Sequence, residues 1–523
     1  MNLYRATGTI GGLTLVSRIA GFAREMIFAR VLGANAVTDA FFQAFILPNV
    51  FRRLFAEGAF SAAFVPMFSR RLNGEGGLES ARSFSTDVLS VFLPILIVVA
   101  VLFELAMPGV IWLLSDKDVA PDQFDLATDL ARITFPYIVL ISLTTLFTGM
   151  LNSVSRFAPG ASFPIILNIM LIGALLFGER WIDAGATIEE VAYLLSWTVA
   201  AAGLVQLGWV IYWVRVEGFS LKIRKPVLTP EVKRLGIIAL PAAIGGGAYQ
   251  INTLLQLYFL NQLEGSMISY MNYADRLNQL PLGIIGIALG TAILPALSKH
   301  IGGGEKESAD RVQSNAIELA MLLTIPAAVA LAICGSAFVT MIFQGGRFEA
   351  EDAAIVGNVV VALVCGLPAY VLVKVLVPGF YARSDTKTPL YAALGSLAFF
   401  IIFNIAFLQR FGVVGVAAAS AIGAWLNVAI LYAILVARDY YSMPAVLVGR
   451  LARQLLAAAA MGAALWFLAD LLTEYYDAGI FARLFALLGL SVAGAIVYFG
   501  VGYAVGAIDR DKLALLFKRK AQS

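Results

Sequence analysis

The chain has 523 residues, of which 60% are hydrophobic and 14% charged, with a net charge of +3. Soluble domains carry about 25% charged residues, so this composition excludes a soluble globular protein, and the small net charge gives no reason to expect a nucleic-acid partner. The single histidine, His300, excludes His-based metal clusters and Ser-His-Asp chemistry, and the two cysteines, Cys334 and Cys365, sit in apolar runs as small core residues rather than a disulfide framework.

A membrane-spanning helix needs about 20 apolar residues, and fourteen such runs are predicted. In chain order they cover 7–33, 37–68, 84–114, 126–152, 161–178, 189–214, 234–261, 267–298, 312–344, 353–382, 388–408, 413–437, 447–472 and 480–506. The first is interrupted by Arg18, so it lacks the clean apolar stretch of a cleavable signal and is expected to stay as an anchor. Loops on one side, such as "RRLNGEGGLESAR" and "RVEGFSLKIRKPVLTPEVKR", and the C-terminal "DRDKLALLFKRKAQS" carry Lys and Arg; loops on the other, such as "SDKDVAPDQFD" and "GERWIDAGATIEE", are mostly acidic. The positive-inside rule places the first set, and both termini, in the cytoplasm.

An internal repeat is visible. "GAFSAAFVPMFSRRLNGEGGLESAR" (58–82) matches "IALGTAILPALSKHIGGGEKESADR" (287–311), pairing Ala59, Pro66 and Ser69 with Ala288, Pro295 and Ser298 at an offset of 229. A weaker echo pairs "SRFAP" (155–159) with "DTKTP" (385–389). An offset spanning six helices, an even number, predicts two parallel six-helix lobes related by an axis along the membrane normal, enclosing a cleft. The expected organisation is an all-α integral membrane protein with lobes at 1–225 and 226–440 and two added helices at 441–523.

Charges concentrate in particular runs. The first holds Arg18 and Arg24, the second Asp39, Arg52, Arg53 and Glu57, the eighth Asp275 and Arg276 in "YMNYADRLNQLP", which also contains Asn272, and the tenth Lys374. Each ionised side chain at a bilayer centre costs about 2.5–3.5 kcal/mol on insertion scales, and such residues usually mark a substrate path. The structural alternatives are specific. Arg53 and Glu57 can pair at i, i+4; Asp275 and Arg276, being adjacent, do not face one another; a bend at Gly21 would bring Arg18 and Arg24 together; Lys374 can serve an acid elsewhere. Glu104, Glu318 and Asp470 lie near run ends and are expected to be solvated. Arg18, Arg24, Arg52 and Arg276 against Asp39 and Asp275 leave a positive excess, and guanidinium groups suit phosphate. The inferred ligand is anionic, with phosphate the expected group. No Walker A, HExxH or nucleophile–base signature is present, and no enzymatic role is expected.

The stretch "SRIAGFAREMIFARVLGANAVTDAFFQAFILPNVFRRLFAEGAFSAAFVP" (17–66) resembles the MurJ (MviN) family of lipid II flippases, of the multidrug/oligosaccharidyl-lipid/polysaccharide exporter superfamily, as do "YADRLNQLPLGIIGIALGTAILPALS" (273–298) and "VKVLVPGFYARSDTKTP" (373–389). The resemblance implies translocation of lipid II across a bacterial inner membrane by alternating access, in the service of peptidoglycan synthesis. It places the cavity residues on Arg18, Arg24, Asp39, Arg52 and Arg276, with Arg53, Glu57, Asn272, Asp275 and Lys374 as possible supports, and the polyprenyl tail along the two added helices. Ile46 departs from relatives that carry a lysine there. No cofactor is implied. Membrane potential or an ion gradient is the expected drive; Asn404 has no acid in its helix, so no sodium site is assigned. Protein partners are not indicated. The rivals are a polysaccharide flippase and a drug or cation antiporter of the same superfamily; the antiporter would favour an acidic cavity. A membrane scaffold would need no buried arginines.

Overall fold

The structure is a computed structural model that describes residues 3–53, 59–116, 119–219, 224–476 and 479–507. Among these residues the chain is helical, apart from turns and one isolated bridge between Gly345 and Phe348. It divides into two compact units: Met1–Ser269 with Gly345–Phe348, and Tyr270–Gln344 with Glu349–Ser523.

The first unit contains α1 (Leu3–Leu32), α2 (Ala36–Arg52), α3 (Ala59–Leu72), α4 (Gly77–Leu114), α5 (Pro121–Thr134), α6 (Tyr137–Ser153), α7 (Ala158–Asp183), α8 (Ile188–Val216) and α9 (Pro230–Asn261). Side chains set the helix starts. Asn35 accepts from the Thr38 N–H at 3.0 Å ahead of α2, Thr187 and Glu190 form a reciprocal capping box on α8, and Thr229 caps α9 with Pro230 following. Pro136 separates α5 from α6 because it has no N–H to continue the hydrogen-bond ladder. The core is rich in phenylalanine: Phe64, Phe68 and Phe84 are buried, with the Phe64 and Phe84 rings stacked at 5.7 Å. Gly149 allows α6 to approach closely, since a Cβ there would meet the Phe64 ring at 3.3 Å.

The second unit takes up α10 (Met267–Pro281) from Tyr270, then a π-turn (Leu282–Gly286), α11 (Ile287–Gly302), α12 (Lys306–Phe343), α13 (Ala350–Val364), α14 (Leu367–Tyr381), α15 (Lys387–Ala437), α16 (Ala445–Leu471) and α17 (Ile480–Ala504). The 51 residues of α15 would reach about 75 Å at about 1.5 Å per residue, more than twice a hydrocarbon core of about 30 Å. The break lies at Gly412, whose φ of 53° and ψ of −144° are non-helical. Between α13 and α14, Gly366 lies against Ala421, where a Cβ would come within 2.8 Å of its Cα.

Nine helical stretches among the described residues are long and apolar enough to cross a membrane. Large apolar side chains such as Leu105, Ile405 and Phe481 point outward, as a lipid surround requires. Three expected runs are each broken among the described residues. The run 126–152 divides into α5 and α6, 267–298 into α10 and α11 across the π-turn, and 353–382 into α13 and α14.

Helix bounds recur along the chain. α4 and α12 each have 38 residues, and Lys306–Phe343 lies 229 positions after Gly77–Leu114 at both ends. α7 and α15 start 229 apart, at Ala158 and Lys387, and α1 and α9 end 229 apart, at Leu32 and Asn261. Ser155 and Ser384 both have φ 61°. Each is followed by a residue whose N–H returns to the helix before it: Arg156 to the Leu151 carbonyl at 2.8 Å and Asp385 to that of Phe380 at 3.0 Å. This register differs by one from the echo that aligned Ser155 with Asp385. The matched prolines, Pro159 and Pro389, both lie in a first helical turn, where proline is tolerated at more than one position, so they do not fix the register; the left-handed serine does.

Candidate functional site

In the first unit, α1 runs against α7 with a polar contact at its centre. Arg24, 9% exposed, and Glu25, 2% exposed, form an ion pair. Arg24 Nη1 also donates to Asn168 Oδ1 at 3.1 Å, and Asn168 Nδ2 donates to the Ser17 carbonyl at 3.1 Å. Gly21 faces Asn168, and a Cβ there would sit 3.5 Å from its Nδ2. The contact therefore joins a charge pair, an amide and a backbone carbonyl. α1 passes through Gly21 as one helix, and Arg18 is half-buried on it, with no carboxylate partner among the described residues.

Glu25 and Asn168 were not anticipated. The expectation that helix neighbours cannot face each other holds for short side chains, but Arg24 is long enough to bend back to Glu25. Asn168 was legible in principle, as an amide inside the apolar run "PIILNIMLIG".

Asp39 is engaged by backbone. Its carboxylate accepts the N–H groups of Ile268 at 3.0 Å and Ser269 at 2.8 Å, and the Ser269 hydroxyl. These belong to the first turn of α10, whose early N–H groups have no helical acceptor, and a carboxylate there also complements the helix dipole. Arg52 is half-buried, and its Nε donates to Asn49 Oδ1 at 3.3 Å. Arg53 is exposed and closes α2 through its own N–H. Glu57 lies outside the described residues, and so does its expected pairing with Arg53.

The segment 345–348 closes the end of α1. The Arg347 N–H donates to the Arg30 carbonyl at 2.9 Å, and Arg347 Nη1 to the Val31 carbonyl at 3.0 Å. Gly346, at φ +59°, lies so close to the Arg30 carbonyl that a side chain has no room.

In the second unit Asp275, Arg276 and Asn272 are half-buried on α10, between the fully buried Tyr273 and Ala274 and the next turn. Asp275 accepts from Gln279, one turn on, rather than from Arg276 beside it. The Lys374 stem crosses Gly286 of the π-turn: a Cβ on that glycine would meet Lys374 Cδ at 3.1 Å and Nζ at 3.2 Å. Two expectations about solvated acids fail. Glu318 is 8% exposed and paired with Arg450 at 3.0 Å, and Glu104 is half-buried with its Oε1 enclosed. Both face packed neighbours rather than a loop. Among the described residues no group of three or more His, Cys, Asp or Glu gathers to hold a metal ion.

The lipid II flippase MurJ family profile matches residues 28–487. The chain belongs to this family. It is 40% identical over 527 aligned positions to a probable lipid II flippase MurJ of Rhizobium meliloti (strain 1021), covering 100% of this chain and 98% of the relative. It is 34% identical to the lipid II flippase MurJ of Burkholderia cenocepacia, covering 84% and 85%. Its fold resembles a solved lipid II flippase MurJ in an inward closed conformation, with a TM-score of 0.76 at 24% identity over 94% of this chain and 97% of that one. It also resembles an inward-facing MATE-family multidrug transporter of the MOP superfamily, with a TM-score of 0.66 at 14% identity over 82% and 97%. Membership places the chain among multi-pass membrane transporters, not catalysts.

Proposed function

We propose that this chain carries lipid II from the inner to the outer leaflet of a bacterial inner membrane, supplying peptidoglycan assembly. The observation that carries this reading is family membership across residues 28–487. The proposed organisation is fourteen spans with both termini cytoplasmic, in two six-helix lobes (1–225 and 226–440) and two added helices (441–523). The recurrence of helix bounds at 229 supports the lobes, and the basic loops support the orientation.

In this reading the lobes open alternately to each side. Arg18, Arg52 and Arg276 bind the diphosphate of the substrate. Arg24, braced by Glu25 and Asn168, presents a fixed guanidinium, and Asp39 positions the start of α10. Arg53, Glu57, Asn272, Asp275 and Lys374 tune the surrounding charge. Membrane potential drives the cycle, since moving one charge through 100 mV is worth about 2.3 kcal/mol. Depleting the protein in its native bacterium, while labelling lipid II at the outer surface, tests the function. Surface lipid II is expected to fall and to return with the wild-type chain. Unchanged labelling, with no second flippase present, overturns the proposal. Flipping in vesicles that ignores an imposed potential overturns the coupling alone.

A further inference from the structure

Within the second unit, the first turns of α16 and the end of α17 border a cleft of about 520 Å³ lined by Ala445, Val446, Gly449, Arg450, Arg453 and Gly506. None of the proposed lipid II ligands lines it. Its volume lies in the range of small-molecule sites, about 300–1,000 Å³. The space over Gly449 is open: a Cβ there would meet nothing within 4 Å.

The two arginines differ in their charge balance. Arg450 Nη1 donates to both carboxylate oxygens of the buried Glu318, at 3.0 and 3.2 Å, so that pair is neutral and its guanidinium is held in place. Arg453 Nη1 donates to the Gly506 carbonyl at 3.2 Å; among the described residues Arg453 has no carboxylate partner. Among the described residues the cleft therefore holds one positive charge with no carboxylate partner beside a second, fixed guanidinium, at the positive end of α16. Its lining includes the apolar Ala445 and Val446, the latter 69% exposed.

One positive charge with no carboxylate partner, two planar donors and an apolar part of the lining match a singly charged phosphodiester attached to acyl chains. A diphosphate would leave surplus negative charge. We propose that this cleft binds the headgroup of an anionic glycerophospholipid, at a site distinct from the arginines proposed to hold the lipid II diphosphate.

Native mass spectrometry of the full-length protein, offered phosphatidylglycerol or phosphatidylcholine at equal concentration, tests this without any transport assay. The wild-type chain is expected to retain phosphatidylglycerol in about tenfold preference. Arg453→Gln, which removes the charge, and Gly449→Leu, which fills the cleft, are each expected to abolish that preference with thermal melting unchanged. Equal retention of both lipids by the wild type, or an undiminished preference in Arg453→Gln, overturns the proposal. Displacement of the phospholipid by millimolar inorganic phosphate identifies a free-anion site and overturns it as well. Should Gly449→Leu melt early, Arg453→Gln decides alone, because Arg453 is exposed and its removal leaves the Glu318 pair intact.

Discussion

The same helix bounds occur twice, 229 positions apart, yet the charges at membrane depth do not, although Arg82 near a helix start recurs as Arg311. Where the first unit has Arg18, Arg24, Glu25, Asp39, Arg52 and Asn168, the matching positions hold Gly247, Thr253, Leu254, Ile268, Pro281 and Leu397. Conversely, Asp275 and Arg276 match Ile46 and Leu47. Helix length and punctuation depend on caps, prolines and packing, which a duplicated backbone shares. Membrane-depth charge depends on what one lobe must hold, and here the matched positions have diverged completely.

The largest expected effect breaks this comparison at Arg24 and Thr253. Arg24→Ala removes the ion pair that Arg24 makes with the buried Glu25, and removing one member of a buried pair typically costs about 3–5 kcal/mol. Thermal melting is expected to drop markedly for Arg24→Ala and hardly at all for Thr253→Ala. Adding Glu25→Gln to Arg24→Ala should restore melting but not lipid II translocation. Restored translocation in the double variant would reduce Arg24 to a structural partner.

Much of the scaffold was readable before the structure, and the reasons are local. Apolar runs of spanning length are imposed by the bilayer, and the 58–82 repeat carried the correct offset. The helix breaks were signalled in "ITFPYI" and "VCGLPAY" but passed over, because hydropathy continues smoothly across a proline that interrupts the backbone. The site was legible only as an inventory of charged residues. Their engagements were not, because Arg24 with Asn168 and Asp39 with Ile268 join residues 144 and 229 positions apart. Glu318 with Arg450 is similar, at 132 positions. One-dimensional spacing rules reach only the i, i+3 and i, i+4 neighbours.

A smaller effect sharpens the contrast at Asp39, whose repeat counterpart, Ile268, is a residue whose N–H it accepts. Loss of a cap typically costs about 0.5–2 kcal/mol. Asp39→Ala is expected to speed hydrogen exchange at Ile268 and Ser269, with Asp39→Asn intermediate, since its amide keeps one acceptor. Unchanged exchange at both amides in Asp39→Ala would show that α10 starts without this carboxylate.

The smallest effect concerns the two left-handed serine turns, which are alike in backbone and reversed in charge. After Ser155, Arg156 pairs at 2.6 Å with Glu217, the last residue capping α8. After Ser384, Asp385 pairs at 2.6 Å with Arg438, which caps α15. Exposed pairs contribute about 0.2–1 kcal/mol, so reversing Arg156 and Glu217 together should leave melting nearly unchanged, whereas Arg156→Glu alone should lower it slightly. The Asp385 turn adds a pH dependence. Hydrogen bonds from Thr388, its hydroxyl and then its N–H, and the Arg438 charge hold the Asp385 carboxyl below the usual range. A lowered folded-state value means the stabilisation is fully present above the unfolded value of about 3.9 and fades as pH falls below it, through the folded value. Hydrogen exchange at the Thr388 amide, bonded to Asp385 at 3.0 Å, should therefore lose protection as pH drops below about 4, after correction for intrinsic rates. In Asp385→Asn that protection should be weak at every pH. A Thr388 amide equally protected in both proteins across the range would show that the backbone turn, held by the left-handed serine, stands without the carboxylate.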